Sequence, residues 1–150
     1  KVKVRIKCHD HGVFEQTPNN HLSGQGCPVC RSSKGEETIR LILEKHSTQF
    51  EREYMIPGVT PKYRYDFYLP SLNLFIEFHG VQHYKPVEIF GGEEGYKDTV
   101  KRDTFKKAIA RMVGVKILLF SYLQLKQLDQ EQFEELVLKR IYNSARLYVS

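Results

Sequence analysis

Two pairs of metal-type ligands open the chain. Cys8 and His11 enclose two residues, Cys27 and Cys30 repeat that spacing, and fifteen residues separate the pairs. Tetrahedral zinc takes four nitrogen or sulfur ligands, and a tight knuckle, a loop and a second knuckle is how a short chain surrounds it. Thirty residues with so few large apolar side chains cannot build a core, so the metal must supply much of the folding free energy. The competing reading, cysteines buried as small hydrophobes, leaves the repeated spacing without a reason. Gly12 after the first pair and Pro28 inside the second suit tight turns. His9 is close enough to compete as ligand; His11 is preferred because it completes the two-residue gap and leaves Gly12 to turn the chain.

All three cysteines are spent on this site, none is left for a disulfide, and the chain reads as belonging to a reducing compartment. No run of about eighteen apolar residues marks a membrane span. No signal peptide is recognisable, and a start at Lys1 fits a piece excised from something longer. The net charge of +5 is uneven: residues 1–34 carry six Lys/Arg against two acids. A basic metal module on a near-neutral body suits a polyanionic partner, because phosphate neutralisation with counterion release is a ready source of affinity for nucleic acid. Charge alone fits a merely basic surface as well.

The hydrophobic pattern divides the chain into a zinc-ribbon-like module, residues 1–34, and a larger domain, residues 35–150. Val2, Val4 and Ile6 alternate with Lys3, Arg5 and Lys7, a strand that runs into Cys8, with residues 13–16 as its return. Ser32 to Gly35 reads as a linker, with Ser33 and Glu36 spaced as a capping box for a helix that aligns Ile39, Ile42, Leu43 and His46. Strands are expected over 50–56, 63–69 and 72–78, the last apolar enough to be central, and an exposed loop over 85–96. A helix over 98–113 carries Phe105, Ala108, Ile109 and Met112 on one stripe and ends at Gly114. A buried strand over 115–120 and a helix over 130–147, repeating Phe133, Leu136, Val137, Ile141 and Ala145, complete an α/β domain of order α-β-β-β-α-β-α.

Within those strands two acids stand out. Asp66 lies between Tyr65 and Phe67, and Glu77 between Ile76 and Phe78. Carboxylates embedded in apolar strands are costly unless paired or bound to a cation, and a carboxylate pair is what Mg²⁺ takes together with water and phosphate. Both can instead face solvent. His79-Gly80-Val81-Gln82-His83 follows at once and adds imidazoles able to accept a proton near neutral pH, with Gly80 placed to let His83 swing back toward Glu77. The helix-start acid Glu36 can converge on the same end of the sheet.

Asp66, then ten residues, then Glu77-Phe78-His79, in this element order, resembles the PD-(D/E)xK nuclease superfamily, with His79 where that motif usually has lysine. Residues 65–70 and 76–84 are similar to its very-short-patch-repair-like branch, which includes phage homing endonucleases described by an E, D, x, H, D active-site pattern. The resemblance covers about residues 33–122. It implies a restriction-endonuclease-like αβββαβ core, a mixed central sheet with flanking helices. Glu36 matches the first-helix acid, Asp66 the metal-binding aspartate, Glu77 the variable strand position, His83 the histidine after the third strand, and Asp103 the acid early in the next helix. The base stays open between His79 and His83. On the helical wheel Asp103 lies away from the Phe105 stripe and fits a surface acid equally. Lys101, Arg102, Lys106 and Lys107 fit phosphate contacts or a solvated face.

The resemblance implies a Mg²⁺- or Mn²⁺-dependent endonuclease of homing, restriction or repair type acting on double-stranded DNA in the interior of a bacterial or phage-infected cell. Asp66 and Glu77 would hold the catalytic ion, His83 or His79 would accept the proton of the attacking water, and Glu36 would orient that water or bind a second ion. The zinc would be structural, since all four of its positions are protein ligands. The competing function is a zinc-containing nucleic-acid-binding module without cleavage, which gives no reason for the acids and histidines to cluster.

Overall fold

The computed structural model describes residues 2–9, 12–59 and 63–146, with the backbone alone for 28–33, 89 and 146. An N-terminal hairpin joins β1 (Val4–Cys8) to β2 (Gly12–Gln16) in antiparallel register, Ile6 opposite Phe14 and Cys8 opposite Gly12. Thr17 then caps a one-turn helix, α1 (Pro18–Leu22), its hydroxyl accepting from the Asn20 amide; Pro18 fits the first helical turn, which needs no amide donor. The side chain of Gln16 donates to the Gly26 carbonyl at 3.0 Å and so ties the hairpin to the loop before Cys27.

Helix α2 runs unbroken from Pro28 to Lys45. The linker and capping box expected at residues 32–36 are therefore helix interior, and a boundary at residue 34 falls inside this helix. Pro28, pre-set for a first turn, starts the helix five residues before Ser33. Gly35 does not break it because a close contact requires glycine there: an added Cβ would lie 2.2 Å from the Phe78 ring. Ile39, Ile42 and Leu43 are buried as their spacing predicts, whereas His46 is the exposed C-cap.

The main sheet has the order β3-β4-β5-β6, formed by β3 (Glu51–Tyr54), β4 (Tyr65–Leu69), β5 (Leu74–His79) and β6 (Lys116–Ser121). The first three strands are antiparallel neighbours, and β5 and β6 are parallel. The parallel pair needs a crossover, which α3 (Gly92–Val113) supplies. Every residue of β5 is buried, as its continuous apolar run predicts for a central strand. A short helix, α4 (Tyr122–Gln127), which begins in a Ser121–Gln124 capping box, and the longer α5 (Gln130–Arg146) follow β6.

One face of the sheet is closed by α2, α4 and α5 over Phe67, Leu69, Leu74, Ile76, Phe78, Leu118 and Phe120. Burying side chains of this size stabilises by about 1.5–3 kcal/mol each, and this layer is the main core. The other face, under α3, is smaller and apolar only toward one end, where Tyr65 stacks on Phe75 at 3.9 Å beside Ala110. Here two expectations fail. Residues 88–90 form a 3-10 turn and α3 begins at Gly92, so 85–96 is not a loop throughout. The helix also turns its apolar stripe outward: Phe105 is 55% and Met112 85% exposed, while Thr99, Lys106 and Ala110 are buried.

Candidate active site

The polar half of that second face is a cleft of about 360 Å³ lined by Glu36, Asp66, Glu77, His83, Asp103 and Lys106, with Arg64 and Arg102 beside them. Five sequence-predicted residues thus meet in one place, from α2, β4, β5, the turn after β5, and α3. The paired ladder of β4 and β5 ends at Phe67 opposite Ile76. Beyond it the Asp66 side chain takes over as acceptor, with the Phe78 amide donating to Oδ2 at 2.8 Å. That contact fixes the carboxylate between the strands, on the cleft side with Glu77.

Glu77 is 4% exposed, and the buried ammonium of Lys106 donates to its Oε2. Burial pushes the Glu77 carboxyl up, but His79 and Lys106 outweigh it and hold the group below its ordinary value. At Asp66 burial, then the charges of Glu77 and Glu36, raise the carboxyl from 3.8 to about 8; the Phe78 amide and the Lys106 charge lower it but are outweighed. Glu36 is raised too, first by burial and next by Glu53, with Arg52 pulling the other way at 3.3 Å. The second expected partner of Asp66, Glu77, is therefore already occupied by an ammonium, and Asp66 groups with Glu36 instead.

Glu53 completes that group. Its place in β3, between the pairs Arg52–Phe67 and Tyr54–Tyr65, sets it across from Asp66. Oxygens of Glu36, Glu53 and Asp66 lie within 4.8 Å of one another. The Glu53 backbone has φ 50°, a left-handed conformation that costs a side-chain-bearing residue on the order of 1–2 kcal/mol. Nothing in the local sequence marks Glu53, which sits in a charged strand Glu51-Arg52-Glu53-Tyr54; only cross-strand register brings it to Asp66. Lys106, expected at phosphates or on a solvated face, is instead buried against Glu77; its inward position follows from the Thr99, Asp103, Lys106, Ala110 spacing rather than from the apolar stripe. An all-oxygen donor set whose burial and mutual repulsion a bound cation would relieve fits a hard divalent ion.

His83 and Asp103 form the second part of the site. His83 Nδ1 and Asp103 Oδ2 are 2.8 Å apart. Burial raises the Asp103 carboxyl, yet the His83 hydrogen bond and charge outweigh burial and leave it lowered. Asp103 is thus no surface acid. Gly80 contributes no special turn, with φ −75° and ψ −175°; the 3-10 turn Val81–His83 brings His83 back. The His79 ring is buried and stacks parallel to His83 at 3.9 Å, with Nε2 3.7 Å from Glu77 Oε1, too long for a hydrogen bond.

Of the zinc-type ligands, Cys8 ends β1 and is half-buried, and Cys27 is buried at the N-cap of α2. His11 and the side chain of Cys30 lie outside the described residues. Gly12 has the left-handed φ of 82° that a knuckle turn uses.

Residues 1–31 match a family described as a protein of unknown function (DUF723). The chain is also similar to uncharacterized protein 094L of Frog virus 3 (isolate Goorha), 36% identical over 59 residues. That match takes in 38% of this chain, which spans 38% of the length of that relative. No solved structure matches. Among the described residues, no helix is long and apolar enough to cross a membrane.

Proposed function

We propose that the chain is a metal-dependent endodeoxyribonuclease with a restriction-endonuclease-like core and an N-terminal zinc-ribbon-like module. The observation that carries this reading is the single cleft in which the Asp66 carboxyl, raised to about 8, sits with Glu36, His83 and Asp103. Glu36, Glu53 and Asp66 would hold Mg²⁺ or Mn²⁺. Bound there, the ion supplies a Lewis acid for the phosphoryl charge and a more acidic water.

The chain's own residues do the rest. Asp103, ionised, accepts the Nδ1 proton of His83 and fixes the tautomer, leaving Nε2 of His83 to accept the proton of the attacking water. His83 therefore suits the base better than His79, which does not line the cleft. Lys106 neutralises Glu77, so that its charge does not add to those of Glu36, Glu53 and Asp66 at the ion site. Arg64 and Arg102, exposed at the cleft, face the flanking phosphates of duplex DNA.

Cys8, His11, Cys27 and Cys30 would hold a structural Zn²⁺. The family match ending at Arg31, one residue past Cys30, supports a unit that contains all four. Its six Lys/Arg against two acids over residues 1–34 add phosphate contacts that position the duplex.

The test is cleavage of plasmid DNA with Mg²⁺ or Mn²⁺ by the native chain and by Asp66→Ala. Cleavage by the native chain and its loss in the variant supports the proposal; binding without cleavage by either makes the chain a DNA-binding module. For the zinc, protein purified without chelators is expected to carry one equivalent, lost in Cys27→Ser; metal-free protein would remove the module's role.

A further inference from the structure

Two groups of potential metal ligands stand in and beside the cleft, and they differ in chemistry. Glu36, Glu53 and Asp66 offer oxygen alone, whereas His79, His83 and Asp103 offer two imidazoles and a carboxylate within 4.8 Å of one another. In the second group two buried atoms, Nε2 of His79 and Oδ1 of Asp103, have no hydrogen-bond partner. His79 is only 5% exposed, so water does not satisfy its nitrogen in bulk. A buried polar atom without a partner costs about 1–3 kcal/mol, and here both belong to one set of three ligands.

We propose that His79, His83 and Asp103 form a second cation site, selective for borderline transition ions such as Zn²⁺ over Mg²⁺. Imidazole nitrogen favours Zn²⁺, Ni²⁺ and Co²⁺, while Mg²⁺ requires oxygen in near-octahedral array. The parallel rings, 7° apart in plane, do not yet aim their lone pairs at one point. With Zn–N bonds of about 2.0–2.1 Å, donors must approach to roughly 3.3 Å, a change that rotation of one ring about its terminal torsion provides. Loading the site withdraws His83 from proton transfer. Zn²⁺ then inhibits hydrolysis instead of supporting it, a consequence that rests on the nuclease reading above.

The experiment is calorimetric titration of the full chain, purified with its knuckle metal in place, with Zn²⁺ alone. One further equivalent is expected, bound equally by Glu36→Gln and weakened by more than tenfold in His79→Gln and in Asp103→Asn, since losing even an outer partner of a ligand costs about that much. Circular dichroism identifies which variants fold, and either of the last two suffices. No further equivalent, or one lost in Glu36→Gln and kept in His79→Gln, overturns the site. In the cleavage assay, Zn²⁺ added to Mg²⁺ reactions is expected to suppress the native chain, with His79→Gln needing at least tenfold more. Zinc binding as expected in a chain that never cleaves DNA leaves the site standing and removes the nuclease; cleavage that Zn²⁺ does not suppress removes the inhibitory role.

Discussion

Helices α3 and α5 flank the same sheet and bury opposite kinds of residue. α5 presses Phe133, Val137 and Ile141 into the main core, each at most 9% exposed. α3 presents Thr99, Asp103, Lys106 and Ala110 to the sheet and leaves Phe105 and Met112 in solvent. The difference lies in what each helix faces. β5 offers Leu74, Ile76 and Phe78 to one side and Phe75, Glu77 and His79 to the other, so α3 must bring polar partners or leave Glu77 buried without one. One helix stabilises the fold; the other completes a charged site at the expense of its own apolar face.

The largest effect that can break this comparison is at the carboxylate both helices' sheet presents. Asp66→Asn is expected to lower DNA cleavage by on the order of a thousandfold while raising the stability of the Mg²⁺-free protein at pH 8.5. The sign follows from its carboxyl lying at about 8 when folded against 3.8 ordinarily. Between those values the folded chain keeps a proton that the unfolded chain releases, so stability falls as pH rises through that window and Asp66→Asn abolishes the fall. Asp103 works in the opposite sense: lowered in the folded chain, it adds stability at neutral pH that disappears as pH falls through its folded value. Denaturant melts at pH 5.5 and 8.5 without added Mg²⁺ check the first, and melts carried below pH 3.8 check the second; a native chain equally stable at pH 5.5 and 8.5, with Asp66→Asn unchanged, would show that neither burial nor neighbouring acids raise the Asp66 carboxyl.

Next come the inward residues of each helix. Phe133→Ala removes a ring 1% exposed from the main core and is expected to cost about 3–5 kcal/mol. Lys106→Met leaves Glu77 as an unpaired buried charge and should cost a similar 3–5 kcal/mol, although it replaces a polar residue by an apolar one. The double change Lys106→Met with Glu77→Leu separates the two explanations. It should recover most of the stability lost by Lys106→Met, measured as a denaturation midpoint, because no charge is then left unpaired; no comparable rescue is available to Phe133→Ala by altering a charged neighbour.

The same contrast explains what could be read from residue order alone. Apolar periodicity identified α5 and the buried faces of α2 and β5, because in those elements burial of carbon is what sets orientation. It misoriented α3, where an ion pair and a histidine–aspartate contact outweigh Phe105 and Met112. Asp66, Glu77 and His83 were legible because acids and histidine stand out among apolar neighbours. Glu53 was not, since it is one charge in a charged strand and acquires meaning only from lying across from Asp66 with its backbone at φ 50°. α2 starts earlier than residue order suggests for a related reason: Gly35 resembles a break in sequence but is the residue that lets the helix approach Phe78.

The smallest expected effect is the sharpest check on the outward stripe. If Phe105, Ile109 and Met112 have no structural task, Met112→Gln, at a position 85% exposed, should shift stability by no more than about 0.5 kcal/mol. Phe105→Gln should cost slightly more, because its ring lies 6.0 Å from that of Tyr63 and is 55% rather than fully exposed. Both should leave cleavage unchanged, as neither side chain lines the cleft. A loss of several kcal/mol in Met112→Gln, seen in the same denaturant melts, would mean that this stripe is covered in the folded protein and that α3, like α5, is held by carbon after all; the polar contacts of Asp103 and Lys106 would then follow from the helix's position instead of setting it.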